Sequence, residues 1–128
     1  MTMLIRVPTK RTPEEVETRL RAACAKEGFG VLGSYDLRAK LREKGQTYDR
    51  ACLVFEVCNP AVARGVLEMA PDVASLLPCR IAVHEGPDGT FVSTVRPRDL
   101  MASAGLSGLE APADEVETAL RRIIEAAV

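Results

Sequence analysis

The stretch YDRACLVFEVCNP, residues 48–60, defines the fold most clearly because a strand pattern changes there into a helix start. Residues 48–58 alternate between two faces, as a half-buried strand requires. One face carries Leu53, Phe55 and Val57, and the other carries Cys52, Val54 and Glu56. Asn59 and Pro60 then supply a capping residue and a first helical residue. The stretch therefore predicts a strand that is followed directly by a helix running to about Met69.

Two further strands are predicted over residues 79–85 and 90–95, on either side of Gly-Pro-Asp-Gly at 86–89. Pro-Asp-Gly between two alternating runs is typical of a β-hairpin. Residues 3–7 and 29–35 give two more short apolar runs, the first of which is closed by a proline. These runs together predict an antiparallel sheet.

The first helix is predicted from its capping residues. Thr12 can cap it, Pro13 fits its first position, and Glu15 completes a capping box. Gly28 is placed to act as the left-handed residue that ends the helix. The expected buried face consists of Val16, Leu20, Ala23 and Cys24.

A second long helix is predicted from Asp114 to about Ala126, after a loop over residues 101–113 that is rich in Ala, Gly and Ser. Its buried residues are expected to be Val116, Leu120, Ile123, Ile124 and Ala127. Glu-Val-Glu-Thr occurs in both long helices, at residues 15–18 and 115–118. We therefore expect the two helices to lie side by side on one face of the sheet. The predicted fold class is α+β, a two-layer domain with an extra short helix after Cys-Asn-Pro.

Length and composition restrict the functions that the chain can have. Its 128 residues are the usual size of one domain, so we expect a single domain over residues 1–128. Hydrophobic residues make up 47% and charged residues 27%, as in ordinary soluble proteins. The formal net charge is −1 and aromatic residues are only 4%. Nucleic acid and membrane surfaces are therefore not expected as partners, because binding to them requires excess positive charge.

The expected location is the cytoplasm, and the expected assembly is a homodimer. A charged residue occurs near the N-terminus before any apolar run reaches the length of a signal peptide. The four cysteines are too few and too scattered to form a disulfide scaffold. Several apolar or small residues are expected to lie together on the second face of the sheet, namely Leu4, Leu32, Cys52, Val54 and Ala82. An apolar face without helices to cover it needs a partner, and a second copy of the chain is the expected one.

Cys58 is the strongest candidate for chemistry. It ends a strand just before the helix start at Asn59, where the positive end of the helix dipole favours a thiolate. Cys79 follows Pro78 at the start of another strand, so the two thiols would approach each other if those strands are neighbours. They could then form a reversible disulfide or hold a soft ligand, whereas the alternative is two buried, inert thiols. His84 and Cys79 are an odd number of residues apart and point to opposite faces, so no metal site is predicted.

The motifs Cys-Asn-Pro at residues 58–60 and Leu-Pro-Cys at residues 77–79 resemble the domain-of-unknown-function 302 family. The resemblance covers nearly the whole chain. It implies small, commonly dimeric cytoplasmic proteins with a fold similar to the TATA-binding-protein topology: strand, helix, four strands, helix. The family has no settled biochemical activity, so the resemblance leaves the function open. The positions that match its recurring motifs are Cys58, Asn59, Pro60, Pro78 and Cys79.

Three functions are consistent with these residues. The favoured one is a dimeric module that binds a small molecule or a protein near Cys58, Cys79 and the helix start at Asn59. The second is a structural or interaction protein in which both cysteines only pack. The third is a thiol redox or carrier protein with Cys58 as nucleophile and Cys79 as resolving thiol. No cofactor is predicted, and a function other than catalysis is favoured.

Overall fold

The protein folds into one antiparallel sheet of five strands with helices packed on it, as seen in the computed structural model, which describes residues 2–128. The strands are β1 (Leu4–Thr9), β2 (Gly30–Asp36), β3 (Cys52–Cys58), β4 (Cys79–Gly86) and β5 (Gly89–Val95). Their order across the sheet is β1-β5-β4-β3-β2. The helices are α1 (Pro13–Lys26), α2 (Leu37–Glu43), α3 (Pro60–Met69), α4 (Pro97–Ser103) and α5 (Glu110–Ala127), and a 3₁₀ helix spans Pro71–Leu76. The predicted α+β class and the helix after Cys-Asn-Pro are confirmed.

The main core lies between one face of the sheet and the pair α1 and α5. Both helices contribute fully buried residues, among them Leu20 and Leu120, and the sheet contributes Phe55, Ile81 and Val83. Burial of each such side chain contributes about 1.5–3 kcal/mol to the stability of the folded state. The two long helices therefore share one sheet face, as their similar sequences predicted.

The capping box of α1 forms as predicted. The Oγ1 atom of Thr12 accepts a hydrogen bond from the Glu15 amide at 3.1 Å, and Oε1 of Glu15 accepts one from the Thr12 amide at 3.0 Å. After the helix, Gly28 has a φ of +76°, which favours glycine. These contacts set where α1 begins and ends, and hence how the chain enters β2.

The prediction of a loop over residues 101–113 is wrong. It contains the end of α4 and, from Glu110, the first turn of α5, which begins four residues before the predicted start at Asp114. Only the short link around Gly105 and Gly108, both with positive φ, is irregular. Ala-rich segments are good helix formers, and Leu109 and the start of α5 find apolar contacts that the local sequence does not reveal.

Some strand boundaries also differ from the predictions. β1 continues through Pro8, which lies opposite Phe91. Pro8 is tolerated because β1 is an edge strand, where one side of the backbone has no partner strand. β3 begins at Cys52, so the predicted strand residues 48–51 lie outside it.

A second hydrophobic cluster lies beside the main core and is built by α3, the 3₁₀ helix, α4 and the start of α5. Its buried residues are Val66, Val73 and Leu109, and Val62, Leu77 and Met101 pack against them. Because α3 directly follows β3 and the 3₁₀ helix precedes β4, this cluster meets the main core where β3 ends and β4 starts.

The second sheet face contributes no residue to either cluster among residues 2–128. One row across all five strands consists of Arg6, Ser93, Ala82, Val54 and Tyr35. Leu4, Leu32 and Tyr35 are exposed, and Leu32 is 65% exposed. In the same described range, no helix combines the length and the apolar character needed to cross a membrane.

Candidate functional site

The two cysteine motifs meet at one end of the sheet. β3 and β4 are antiparallel neighbours, and Val57 lies directly opposite Cys79 in their register. Cys58, the next residue of β3, ends that strand, and Cys79 begins β4. The structure thus places both thiols at the border between the two hydrophobic clusters.

A small pocket of about 30 Å³ lies at this border. It is lined by both cysteines, by Val57 of the main core, and by Val62, Leu77 and Met101 of the second cluster. Among residues 2–128, no charged side chain lines it. An apolar hole of this size gives a water molecule too few polar partners to be stable there.

A larger cleft of about 180 Å³ adjoins the pocket. The two spaces share four lining residues, which are Leu77, Cys79, Pro97 and Met101. Pro78 also lines the cleft, and the Leu77–Pro78 peptide bond is cis. Arg80 and Thr94 provide its polar groups, and the hydroxyl of Thr94 donates to the carbonyl of Arg80 at 2.6 Å. The pocket and the cleft are therefore neighbours beside Cys79, and the walls of both are mostly apolar.

Asn59 and Pro60 begin α3 as predicted, but the expected effect on Cys58 is absent. Oδ1 of Asn59 accepts hydrogen bonds from the amides of Ala61 at 3.1 Å and Val62 at 3.3 Å. The helix-start amides are therefore occupied by the capping side chain. Burial raises the pKa of Cys58, so the prediction that the helix start favours a thiolate is wrong.

The environment of Cys79 also favours a neutral thiol. Burial, and next the charge that Cys58 would carry if ionised, raise the pKa of Cys79 to about 11. Its side chain packs against the main core. At neutral pH both thiols are protonated, so this site suits the packing of an apolar group better than nucleophilic attack.

The other two cysteines lie away from the pocket. Cys24 is 1% exposed in the buried face of α1, as predicted, and burial raises its pKa to about 11. Cys52 lies on the second sheet face, opposite His84 in the register of β3 and β4. All four cysteines are free thiols.

His84 is part of a polar cluster that the sequence analysis missed. Its Nε2 lies 3.0 Å from Oγ of Ser93, and its ring stacks on Phe91 with 6.1 Å between centroids. Burial, and next the charge of Arg6, lower the pKa of His84. The predicted hairpin contained a signal for the contact between His84 and Phe91. A register that places Gly86 opposite Gly89 also places His84 opposite Phe91. Within residues 2–128, no group of three or more His, Cys, Asp or Glu side chains could hold a metal ion.

Sequence reasoning also missed much of the pocket lining. Met101 was assigned to a loop, and Val62 and Leu77 belong to a cluster that forms only in the folded chain. The Leu-Pro-Cys motif at residues 77–79 was the local signal for Leu77.

Comparison with known proteins agrees with this fold. The model of the family described as domain of unknown function DUF302 matches residues 5–127. A crystal structure of an uncharacterized conserved DUF302 protein from Bacillus stearothermophilus is similar over 100% of both chains, with 27% sequence identity and a TM-score of 0.93. No curated protein matches the sequence. The family match spans nearly the whole chain and confirms the resemblance of the cysteine motifs, and the protein therefore belongs to the DUF302 family.

Proposed function

We propose that the protein is a homodimeric binding module whose small-molecule site is the pocket and cleft beside Cys58 and Cys79. The observation that carries the proposal is an apolar space at the border between two hydrophobic clusters, with both family-motif cysteines in its wall. Binding sites are typically concave and mostly apolar with a few polar groups, which describes this space. Asn59 and Pro60 support it by fixing the start of α3, and Pro78 by lining the cleft.

The raised pKa values of Cys58 and Cys79 argue against the thiol redox or carrier function, because a nucleophilic cysteine requires a thiolate. A purely structural role for the two cysteines remains the competing function, since Cys79 packs against the main core. A binding test that reports on the pocket directly separates the two.

The test uses NMR of methionine methyl groups during titration with 1-octanol. Met101 lines both the pocket and the cleft, whereas Met69 is 63% exposed on α3 and serves as an internal control. We expect a saturable shift of the Met101 methyl signal and none at Met69. Equal, linear shifts at both methyls would favour the structural role.

A matched pair of variants on α3 locates the binding. Val62→Ile adds one methylene to the wall of the 30 Å³ pocket and should weaken binding several-fold. Leu67→Ile changes an exposed residue of the same helix and should leave binding unchanged. Equal affinities in the two variants would show that the ligand binds outside the pocket.

The homodimer is proposed to form through the second sheet face. This face exposes Leu4 on one edge strand and Leu32 on the other, with the half-buried Val54 and Ala82 on strands between them, and a second copy of the chain would remove these side chains from water. Leu32→Lys introduces a charge at a residue that is already exposed, so the fold should survive. Light scattering should then show a monomer for this variant and a dimer for the control Leu67→Lys. A dimer in both variants would exclude this face as the interface.

We infer a cytoplasmic location from the four free thiols, two of which lie on neighbouring strands without a bond between them. Cell fractionation tests this inference, and recovery of the protein with an oxidising compartment would contradict it.

A further inference from the structure

Exposed apolar side chains are concentrated in one short part of the chain. Within residues 2–128, eight large hydrophobic residues are exposed, and five of them fall between residues 32 and 48. These five are Leu32, Tyr35, Leu37, Leu41 and Tyr48. Single exposed leucines are ordinary on a protein surface, whereas such a concentration indicates a surface that a partner covers.

α2 and the link after it, residues 37–48, form an arm without a core of its own. None of the seven residues of α2 is buried, although the structure describes all of them, and every residue of the link is exposed. Polar contacts at the surface hold the arm. Oδ1 of Asp36 accepts a hydrogen bond from the amide of Ala39 at 3.0 Å, and Nη1 of Arg38 donates to the carbonyl of Asp49 at 3.4 Å. A helix this short is marginal without tertiary packing, so one chain alone gives the arm little of the apolar cover that it needs.

α2 presents its two leucines on one side. Leu37 and Leu41 are four positions apart, which makes them neighbours on the surface of a helix. Helix geometry places Ala39, Arg42 and Glu43 on the opposite side. A partner can therefore cover the leucines without removing the charges of Arg42 and Glu43 from water.

The arm adjoins the second sheet face, on which the homodimer is proposed to form. Leu32 and Tyr35 are exposed on β2, which is an edge strand, and α2 begins directly after it. A second copy of the chain that covers this edge of the sheet is therefore next to the arm.

The sheet face alone is small for a stable dimer. The five strands contain 35 residues, and because side chains alternate, about half of them face this side. A stable interface takes about 20–30 residues from each partner. The arm supplies twelve more residues, which brings the surface into that range.

We propose that the arm packs on the second copy of the chain in the homodimer, with Leu37 and Leu41 as its contact residues. The inference rests on the proposed function, since it extends the proposed dimer interface beyond the sheet face. In a symmetric dimer both arms make the same contact, so each leucine contributes twice. The apolar surface of the arm then leaves water together with that of Leu32.

Two matched variants measure the contribution of the arm. Leu41 on α2 and Leu67 on α3 are each 38% exposed. Glutamine is a good helix former without a charge, so both Leu41→Gln and Leu67→Gln should keep the fold. Analytical ultracentrifugation over a range of protein concentrations gives the Kd of each dimer. We expect Leu41→Gln to raise the Kd about tenfold, because two leucines per dimer no longer bury their exposed surface, and Leu67→Gln to leave it unchanged.

Hydrogen exchange measured by mass spectrometry locates the contact. The natural protein is compared at concentrations well above and well below the Kd of its dimer. The peptide that covers residues 37–48 should exchange more slowly at the higher concentration, because the partner shields the arm. Equal exchange of this peptide in the dimer and in the monomer would overturn the proposal.

The arm contact and the proposed homodimer fail in different ways. If the natural protein is a monomer at every concentration, the homodimer fails and the arm contact fails with it. If Leu32→Lys breaks the dimer while Leu41→Gln and Leu67→Gln have the same Kd, the sheet interface stands and the arm contact is wrong. If Leu41→Gln weakens the dimer and Leu32→Lys does not, the arm contact stands and the sheet interface is wrong.

Discussion

Alkylation of the cysteines by iodoacetamide tests the chemical character of the site. The reagent reacts with thiolates, so the rate at each cysteine follows the fraction of the thiol that is ionised. The pKa of Cys79 is raised to about 11 from an ordinary value of 9.0. Each unit lowers the thiolate fraction about tenfold, so the shift lowers it about 100-fold at neutral pH. Cys58 should also react more slowly than an unshielded thiol, because burial raises its pKa.

The assay measures modification of each cysteine-containing peptide by mass spectrometry in the folded protein and, as a control, in the same protein unfolded in urea. The unfolded chain gives the rate that each thiol has without burial. The folded-to-unfolded ratio at Cys79 is expected to be about 0.01 or lower, since restricted access can only slow the reaction further.

A pH series separates the two reasons for slow labelling. If access alone slows Cys79, its rate stops rising near the ordinary pKa of 9.0, whereas a raised pKa makes it rise tenfold per unit up to about pH 11. Labelling of Cys58 or Cys79 at the rate of the unfolded chain, or faster, would refute the reasoning. It would restore the thiol function that the structure argues against.

Three other predictions concern stability and are measured by urea denaturation. Phe55→Ala removes the largest fully buried side chain and should cost about 3–5 kcal/mol, and a loss below about 1 kcal/mol would contradict the core assignment. Asn59→Ala removes the cap of α3 and should cost about 1 kcal/mol, with no loss expected if the cap is unimportant. The contribution of the buried thiols to stability should be constant below about pH 9 and fall as the pH rises from 9 through about 11, because the folded state disfavours ionised Cys24 and Cys79. The fall should amount to about 2–3 kcal/mol per thiol, and Cys24→Ala, which lacks one of the two, should show a smaller fall.

The strands of the sheet were predictable because their signals are local. Alternation along residues 52–58 and the turn at residues 86–89 are visible in the sequence, and both appear in the structure. The pair α1 and α5 was predictable for a related reason, since each has a helical apolar face that must be buried on the sheet.

The second cluster was not predictable because it depends on contacts between distant segments. α4 is a helix of seven residues in a stretch rich in Ala, Gly and Ser, and no strong local pattern distinguishes it from a loop. Leu109 becomes buried, and Met101 partly buried, only when α3 and the 3₁₀ helix are in place. Tertiary contacts rather than local propensity decide the structure of such segments.

The candidate site was partly predictable. The two cysteine motifs do lie on neighbouring strands, which the hairpin and strand pattern made plausible in advance. The electrostatics at Cys58 could not be read from the sequence, because they depend on which group bonds the free amides of α3. Asn59 bonds them itself, and burial then decides the pKa of Cys58.

A crystal structure of the protein grown with excess 1-octanol tests the central claim most directly. The account predicts density for the tail in the cleft of about 180 Å³, reaching towards the pocket between Cys58 and Met101, with the wall otherwise unchanged. An empty pocket and cleft in a protein saturated with the alcohol, or density only on the second sheet face, would contradict it.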